Sequence, residues 1–116
     1  MKVNVNTVLK DYAGNPLKTG SAENAEEITI GKLLLQVASV NPPPGKTYPP
    51  NDQVMRWYLG ATAWSAQETP PHEMHLSKKT VGIIAEDISR LWGPMVAGQF
   101  LSMLGMKPAP EEEDTP

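Results

Sequence analysis

The fold is decided by residues 76–106, which read LSKKTVGIIAEDISRLWGPMVAGQFLSMLGM. Apolar residues recur there at steps of three and four, the spacing of a helix with one buried side. Gly93-Pro94 interrupts the pattern, and Pro94 suits the first turn of a new helix. The stretch therefore predicts two helices, one at about 78–92 and one from Pro94 to about Leu104. The core side of the first helix consists of Val81, Ile84, Ile88 and Leu91.

Two further helices are predicted upstream of this stretch. Thr29 can cap a helix at about 30–40, and Asn51-Asp52 are suitable N-caps for a helix at about 52–65. The first has a core side made of Ile30, Leu33, Leu34 and Val37. The second has a wide apolar side made of Val54, Met55, Tyr58 and Ala61, with Trp57 and Trp64 close by. We expect the aromatic residues to complete a small core more often than to face solvent.

Residues 2–18 have the pattern of a β-hairpin. Apolar and polar residues alternate from Val3 to Leu9, as in a half-buried strand, and residues 11–16 supply a turn in which Gly14 and Asn15 tolerate positive φ. Leu17 then starts a short return strand. A two-stranded ribbon is only marginally stable in water, so it must pack on helices or on another chain.

Polar and proline-rich segments separate these elements. Residues 19–27 and 66–76 read as loops, and residues 41–50 hold five prolines in ten positions, which predicts an extended connector. Residues 1–106 therefore form a single small globular domain, followed by an acidic, proline-rich disordered tail at 107–116. The predicted fold class is α+β, mostly α, with an N-terminal β-hairpin packed on about four short helices.

Composition excludes several classes of function. The formal net charge is -3 and the basic residues are scattered, whereas a general grip on nucleic acid needs clustered Lys and Arg. Cysteine is absent, which removes disulfides, thiolate metal sites and Cys nucleophiles. No segment approaches the ~18 consecutive apolar residues of a membrane span. We expect an intracellular protein with no nucleic-acid or membrane partner.

Reaction chemistry is sparse. His72-Glu73-Met74-His75 places its histidines three residues apart in a predicted loop, whereas a zincin helix spaces them four apart. Glu26-Glu27 and Glu86-Asp87 are adjacent carboxylates, which point in different directions and read as solvated. No Gly-rich phosphate loop or nucleophile elbow occurs. We therefore expect no catalytic residue, metal, cofactor or small-molecule substrate; a closed pocket joining His72, Glu73 and His75 would reopen the enzyme hypothesis.

Five residues are candidates for binding a protein partner or a second copy of the chain. Their apolar side chains serve equally well in a core or in an interface, and Trp92 is the most exposed candidate because it adjoins the Gly93-Pro94 break. The five are Trp57, Trp92, Met95, Phe100 and Met103.

Three segments resemble a loose group of small, mostly uncharacterised bacteriophage accessory proteins. They are LKDYAGNPL at 9–17, ITIGKLLLQ at 28–36 and IIAEDISRLWGPMVAGQFLSML at 83–104. The resemblance implies a phage origin, the host cytoplasm as location and the rough shape given above, and it carries no catalytic residues. We expect a non-catalytic protein that binds a host factor or a phage component. The alternative is a virion- or tail-assembly factor that oligomerises through the hairpin edge and the last helix.

Overall fold

Four helices make up about half of the residues that the computed structural model describes, which are 1–20 and 23–108. They are α1 (Ile30–Ser39), α2 (Pro50–Glu68), α3 (Lys78–Leu91) and α4 (Pro94–Met103). Four short strands accompany them in these residues: β1 (Lys2–Asn4), β2 (Lys18–Thr19), β3 (Glu26–Glu27) and β4 (Glu73–His75). This confirms the predicted α+β class, with the N-terminal segment packed on helices.

The helix starts follow the local chemistry with one exception. The Thr29 hydroxyl accepts a hydrogen bond from the backbone N–H of Lys32, and the Ser77 hydroxyl caps α3 in the same way. Asn51-Asp52, in contrast, do not cap α2. That helix begins two residues earlier than predicted, with Pro49 at the N-cap and Pro50 at the first position, where a missing N–H costs nothing.

The pairing partner of β1 differs from the prediction. Its antiparallel neighbour is β4, which lies in the segment predicted as a loop, and Val3 faces Met74 in the register. Both of these side chains are buried, whereas the flanking residues of each strand are exposed. The pair therefore shows the period-two alternation of a sheet with one face on a core. The Val5 N–H extends it by donating to the His72 carbonyl at 2.8 Å.

The predicted turn forms, and the chain after it takes a different partner. Asp11 Oδ1 accepts hydrogen bonds from the N–H groups of Ala13 and Asn15, and Leu17 donates to the Leu9 carbonyl at 2.9 Å. Beyond Leu17 the return strand β2 pairs with β3 rather than with the N-terminal segment. Glu26-Glu27 thus belong to a strand in a region predicted as a loop; residues 21–22 of that loop lie outside the described residues.

One apolar core joins the N-terminal segment to all four helices. The predicted core sides of α1 and α3 are confirmed, except that Leu91 is only partly buried. The largest fully buried side chains are Phe100, Leu9, Leu34, Ile84, Ile88, Val5 and Val37. Val5 and Leu9 come from the N-terminal segment, so the strand region is stabilised by packing on the helices, as its small size requires.

Of the acidic tail predicted at 107–116, only Lys107 and Pro108 are described. Among residues 1–20 and 23–108 no helix has the length and apolar character needed to cross a membrane.

Candidate functional site

Helix α2 is apolar on two opposite sides. Its buried side carries Arg56, Leu59, Ala63 and Ala66, at steps of three and four. The opposite side carries a second set at helical spacing, which we call the outer face of α2. The outer face consists of Val54, Trp57, Tyr58, Ala61 and Trp64.

The large side chains of the outer face lie in solvent. Trp57 is 68% exposed, Tyr58 62% and Trp64 58%. The expectation that these aromatic residues complete the core is therefore wrong. Only one side of α2 packs on α1 and β4, and the helical period that indicates an apolar side does not say which of two apolar sides is buried.

The outer face has an aromatic ridge with a groove on each side. Trp57 and Tyr58 meet edge to face, with ring centroids 5.2 Å apart and an interplanar angle of 85°. On the α1 side of this ridge lies a groove of about 460 Å³, with Ala38, Gly60 and Ala61 among its lining residues. On the other side a smaller groove of about 190 Å³ runs between Tyr58 and His75.

The five side chains of the outer face are uncharged. Arg56, the one charged residue from Gln53 to Gln67, is buried, and the exposed Glu68 lies one turn beyond Trp64 at the C-terminal end of α2. Interface cores are depleted in charged residues and enriched in Trp and Tyr. An uncharged aromatic face therefore suits contact with another protein and offers nothing to phosphates.

Directly beneath the outer face, Arg56 is the centre of a buried ion cluster. Its Nε donates to Asp52 Oδ1 at 2.6 Å, its NH2 lies 2.7 Å from Asp87 Oδ2, and its NH1 donates to the Val37 carbonyl at 3.2 Å. The guanidinium also sits over the Tyr48 ring, 3.9 Å from the centroid. One side chain thus connects α1, the 41–50 connector, α2 and α3.

Asp87 is the main acidic member of the cluster. Its Oδ2 accepts from the Tyr48 hydroxyl and its Oδ1 from Arg90, both at 2.9 Å, while Arg90 also donates to the Asn41 carbonyl. Burial by itself raises the pKa of Asp87, but the hydrogen bonds from Arg90 and Tyr48 and the charge of Arg56 outweigh it, so the pKa lies below its ordinary value. Asp87 therefore stays ionised.

The same contacts act on the Tyr48 phenol in the opposite direction. Burial and the hydrogen bond to Asp87 raise the pKa of Tyr48, even though the positive charge of Arg56 lowers it. The phenol therefore remains a donor at neutral pH. An ionised carboxylate held by two arginines and a protonated phenol is a poor proton acceptor, so this geometry suits a clamp rather than acid–base chemistry.

The ion cluster was missed by sequence reasoning, which placed Glu86-Asp87 on a solvated face. Asp87 is 5% exposed, whereas Glu86 is exposed as expected. A signal was present: Asp87 lies on the apolar side of α3 next to Ile88. Arg56 lies likewise in line with Leu59 on α2. Opposite charges within two apolar stripes indicate a buried pair.

A groove of about 400 Å³ lies over the cluster, bounded by Pro42, Lys46 and the charged side chains. Its lining includes three basic residues, Lys46, Arg56 and Arg90, and three acidic ones, Asp52, Glu86 and Asp87. The charges balance, and those of Arg56 and Asp87 are already paired with each other. The groove therefore has no net charge with which to select an ionic ligand.

The five residues predicted to bind a partner do not form one surface. Trp57 stands on the outer face of α2, whereas Trp92 is half-buried and packs edge to face on Phe100, with ring centroids 6.1 Å apart. Phe100 is fully buried, so its side chain belongs to the core of this structure. Met95 and Met103 are half-buried, and Met103 packs against the core.

The histidines of the 72–75 segment point to no shared centre. His72 Nδ1 lies 2.9 Å from the Ala66 carbonyl, at the end of α2, and His75 is an exposed residue of β4. Within residues 1–20 and 23–108, no group of three or more His, Asp or Glu side chains is placed to hold a metal ion.

Comparison of the chain with protein-family models, curated proteins and solved structures gives no match.

Proposed function

We propose that this chain is a non-catalytic protein-binding module whose docking surface is the outer face of α2. The observation that carries the proposal is the exposure of Trp57, Tyr58 and Trp64 on one side of α2, among outer-face residues that are all uncharged. Exposed aromatic residues of this kind are the commonest energetic anchors of protein interfaces.

The ion cluster beneath the face supports the same proposal. Arg56 is adjacent to Trp57 in the chain and is fixed by partners on α1 and α3. The helix is thereby held in one position, and the aromatic side chains project from a rigid base. Preorganised surfaces lose less entropy on binding than mobile ones.

The biological setting we propose is that of a bacteriophage accessory protein acting in the host cytoplasm on a host factor or a phage component. Support comes from the three segments of sequence that resemble small phage proteins, at 9–17, 28–36 and 83–104. A virion- or tail-assembly role is the alternative, and the paired ridge and groove on α2 favour it because they permit self-association.

Affinity capture with two variants tests the proposal. The purified chain is immobilised and exposed to lysate of infected cells or to phage components, alongside Trp57→Ala/Trp64→Ala and Tyr12→Ala. Tyr12 is the matched control, since it is an aromatic residue that is 87% exposed and lies in the 11–16 turn, outside α2. We expect a stoichiometric protein on the wild type and on Tyr12→Ala, and its loss from the double variant.

Two results would count against the proposal. One is the absence of any stoichiometric partner together with the absence of self-association. The other is retention of a partner that is indifferent to the loss of both tryptophans, because that partner would then bind a different surface.

A further inference from the structure

We propose that the outer face of α2 is covered by a second copy of this chain, related to the first by a two-fold axis. This inference rests on the proposed docking role of the face and names its occupant. Trp57 of each copy is placed in the groove between α1 and α2 of the other. The dimer therefore contains two identical contacts of Trp57 with a groove.

The outer face of α2 has a groove beside its projecting aromatic ring. The groove of about 460 Å³ is walled by Leu35 and Ala38 of α1 and by Gly60 and Ala61 of α2, next to the Trp57 ridge. At Gly60 α1 lies so close to α2 that an added Cβ would be 3.3 Å from that of Ala38, so the absence of a side chain there permits the close contact of the two helices that line the groove. The small side chain of Ala61 leaves the groove open beside the exposed Trp57 ring.

Symmetry makes this arrangement self-complementary. Closed dimers with two-fold symmetry use the same patch on both copies, so the patch must contain both the projecting group and its receptor. Here Trp57 supplies the projecting group, and Gly60 and Ala61, one turn further along α2, supply the receptor. Two antiparallel α2 helices can satisfy both contacts at once.

The absence of charge on the outer-face residues also favours a second copy of the chain as the partner. The five outer-face residues are uncharged, so a partner that binds them through ion pairs would leave its own charges unpaired there. A second outer face presents the same uncharged aromatic side chains, and the exposed Glu68 stands at the C-terminal end of α2, beyond Trp64.

The area is that of a weak dimer. Three aromatic side chains that are 58–68% exposed offer on the order of 300–450 Å² per copy, taking an aromatic side chain as ~150–250 Å². Two copies thus bury on the order of 600–900 Å² of aromatic surface, to which the groove walls add. Specific interfaces begin near ~1,000 Å² in total, and those at the low end are transient.

Sedimentation velocity of the purified full chain over a range from about 1 to several hundred micromolar tests the proposal. We expect a reversible monomer–dimer equilibrium. Trp57→Ala removes the projecting group and Ala61→Trp fills the receptor, and each is expected to weaken association at least about tenfold. Tyr12→Ala should associate like the wild type. Trp57 and Ala61 are both exposed, so circular dichroism should show all variants folded.

Mixing the two weakened variants gives the sharper result. Trp57→Ala keeps an open groove, and Ala61→Trp keeps the projecting indole. In their heterodimer the indole of Ala61→Trp enters the open groove of Trp57→Ala, which restores one full contact. At the second contact the filled groove faces the alanine at position 57, so no ring has to be accommodated there. We expect the mixture to associate more tightly than either variant alone. Failure of this complementation, or a dimer unaffected by either substitution, overturns the assignment.

A wild type that stays monomeric at every concentration also overturns this inference. In that case capture of another protein that depends on Trp57 and Trp64 would leave the proposed docking function standing. Absence of both self-association and capture would remove the two together.

Discussion

Arg56 is the residue on which the position of the outer face depends. Four of its contacts reach four parts of the chain, and among the described residues no buried side-chain nitrogen or oxygen is left without a hydrogen-bond partner. Removing the central cation of such a cluster is more costly than replacing the whole cluster with apolar groups, because the remaining carboxylate stays buried and underpaired.

We predict that Arg56→Met lowers the free energy of unfolding by about 3 kcal/mol, since Asp87 then keeps only Arg90 and Tyr48 as partners. Lys32→Met is the matched control. Lys32 makes an exposed ion pair with Glu26 and should cost under about 1 kcal/mol. Urea denaturation of both variants measures the difference. Equal losses would mean that the buried cluster contributes no more than a surface pair.

Asp87 also predicts a pH dependence. The pKa of Asp87 is lower in the folded chain than its ordinary value of 3.8, so its contribution to stability is complete above that value and is lost as the pH falls through the folded pKa. Between about pH 5 and pH 2, the wild type should therefore lose more unfolding free energy than Asp87→Asn. Denaturation curves at several pH values test this, and parallel losses in the two proteins would refute it.

At the scale of elements, the two predicted helix caps differ: Thr29 caps α1, whereas Asn51 does not cap α2. Thr29→Ala should cost about 1 kcal/mol, because the threonine hydroxyl caps α1. Asn51→Ala should change stability by under about 0.5 kcal/mol, because α2 has already begun at Pro50 and Asn51 is exposed. Urea midpoints decide between them. A larger loss for Asn51→Ala would mean that α2 starts later than the structure shows.

The helices could be predicted from sequence because their signals are local. Apolar spacing located all four, and Thr29 marked the start of α1 to the residue. The partner of β1 could not be predicted, because Lys2 and His75 are far apart in the chain and a three-residue strand has almost no pattern. The exposure of the outer face of α2 could not be predicted for another reason. Its apolar periodicity is genuine, but periodicity identifies an apolar side of a helix and not what covers that side.

For the whole molecule, the aromatic side chains divide between the core and the surface. Phe100→Ala should cost about 3–5 kcal/mol, since the ring is fully buried. Trp57→Ala and Trp64→Ala should each change stability by under about 0.5 kcal/mol, because more than half of each side chain is exposed. Thermal and urea unfolding of the three variants test this. A large loss on removing either tryptophan would place that residue in the core.

The stability and binding roles of the surface should therefore separate. We expect substitutions on the outer face to leave the fold intact and to remove association, and we expect substitutions in the ion cluster to lower the stability of the fold that holds the face. This separation is what distinguishes a docking surface from an apolar residue that is exposed without consequence.

The most direct measurement is site-specific photo-crosslinking from the outer face. A photoreactive phenylalanine analogue at Ser65, an exposed residue one turn after Ala61, reacts with whatever molecule covers the outer face. The same analogue at Tyr12, which lies outside α2, is the control. With purified chain and with lysate, we expect an adduct of defined mass from position 65 and none from position 12. The mass of the adduct shows whether the occupant is a second copy. Equal or absent crosslinking at the two positions would contradict the claim that α2 presents a protein-binding surface.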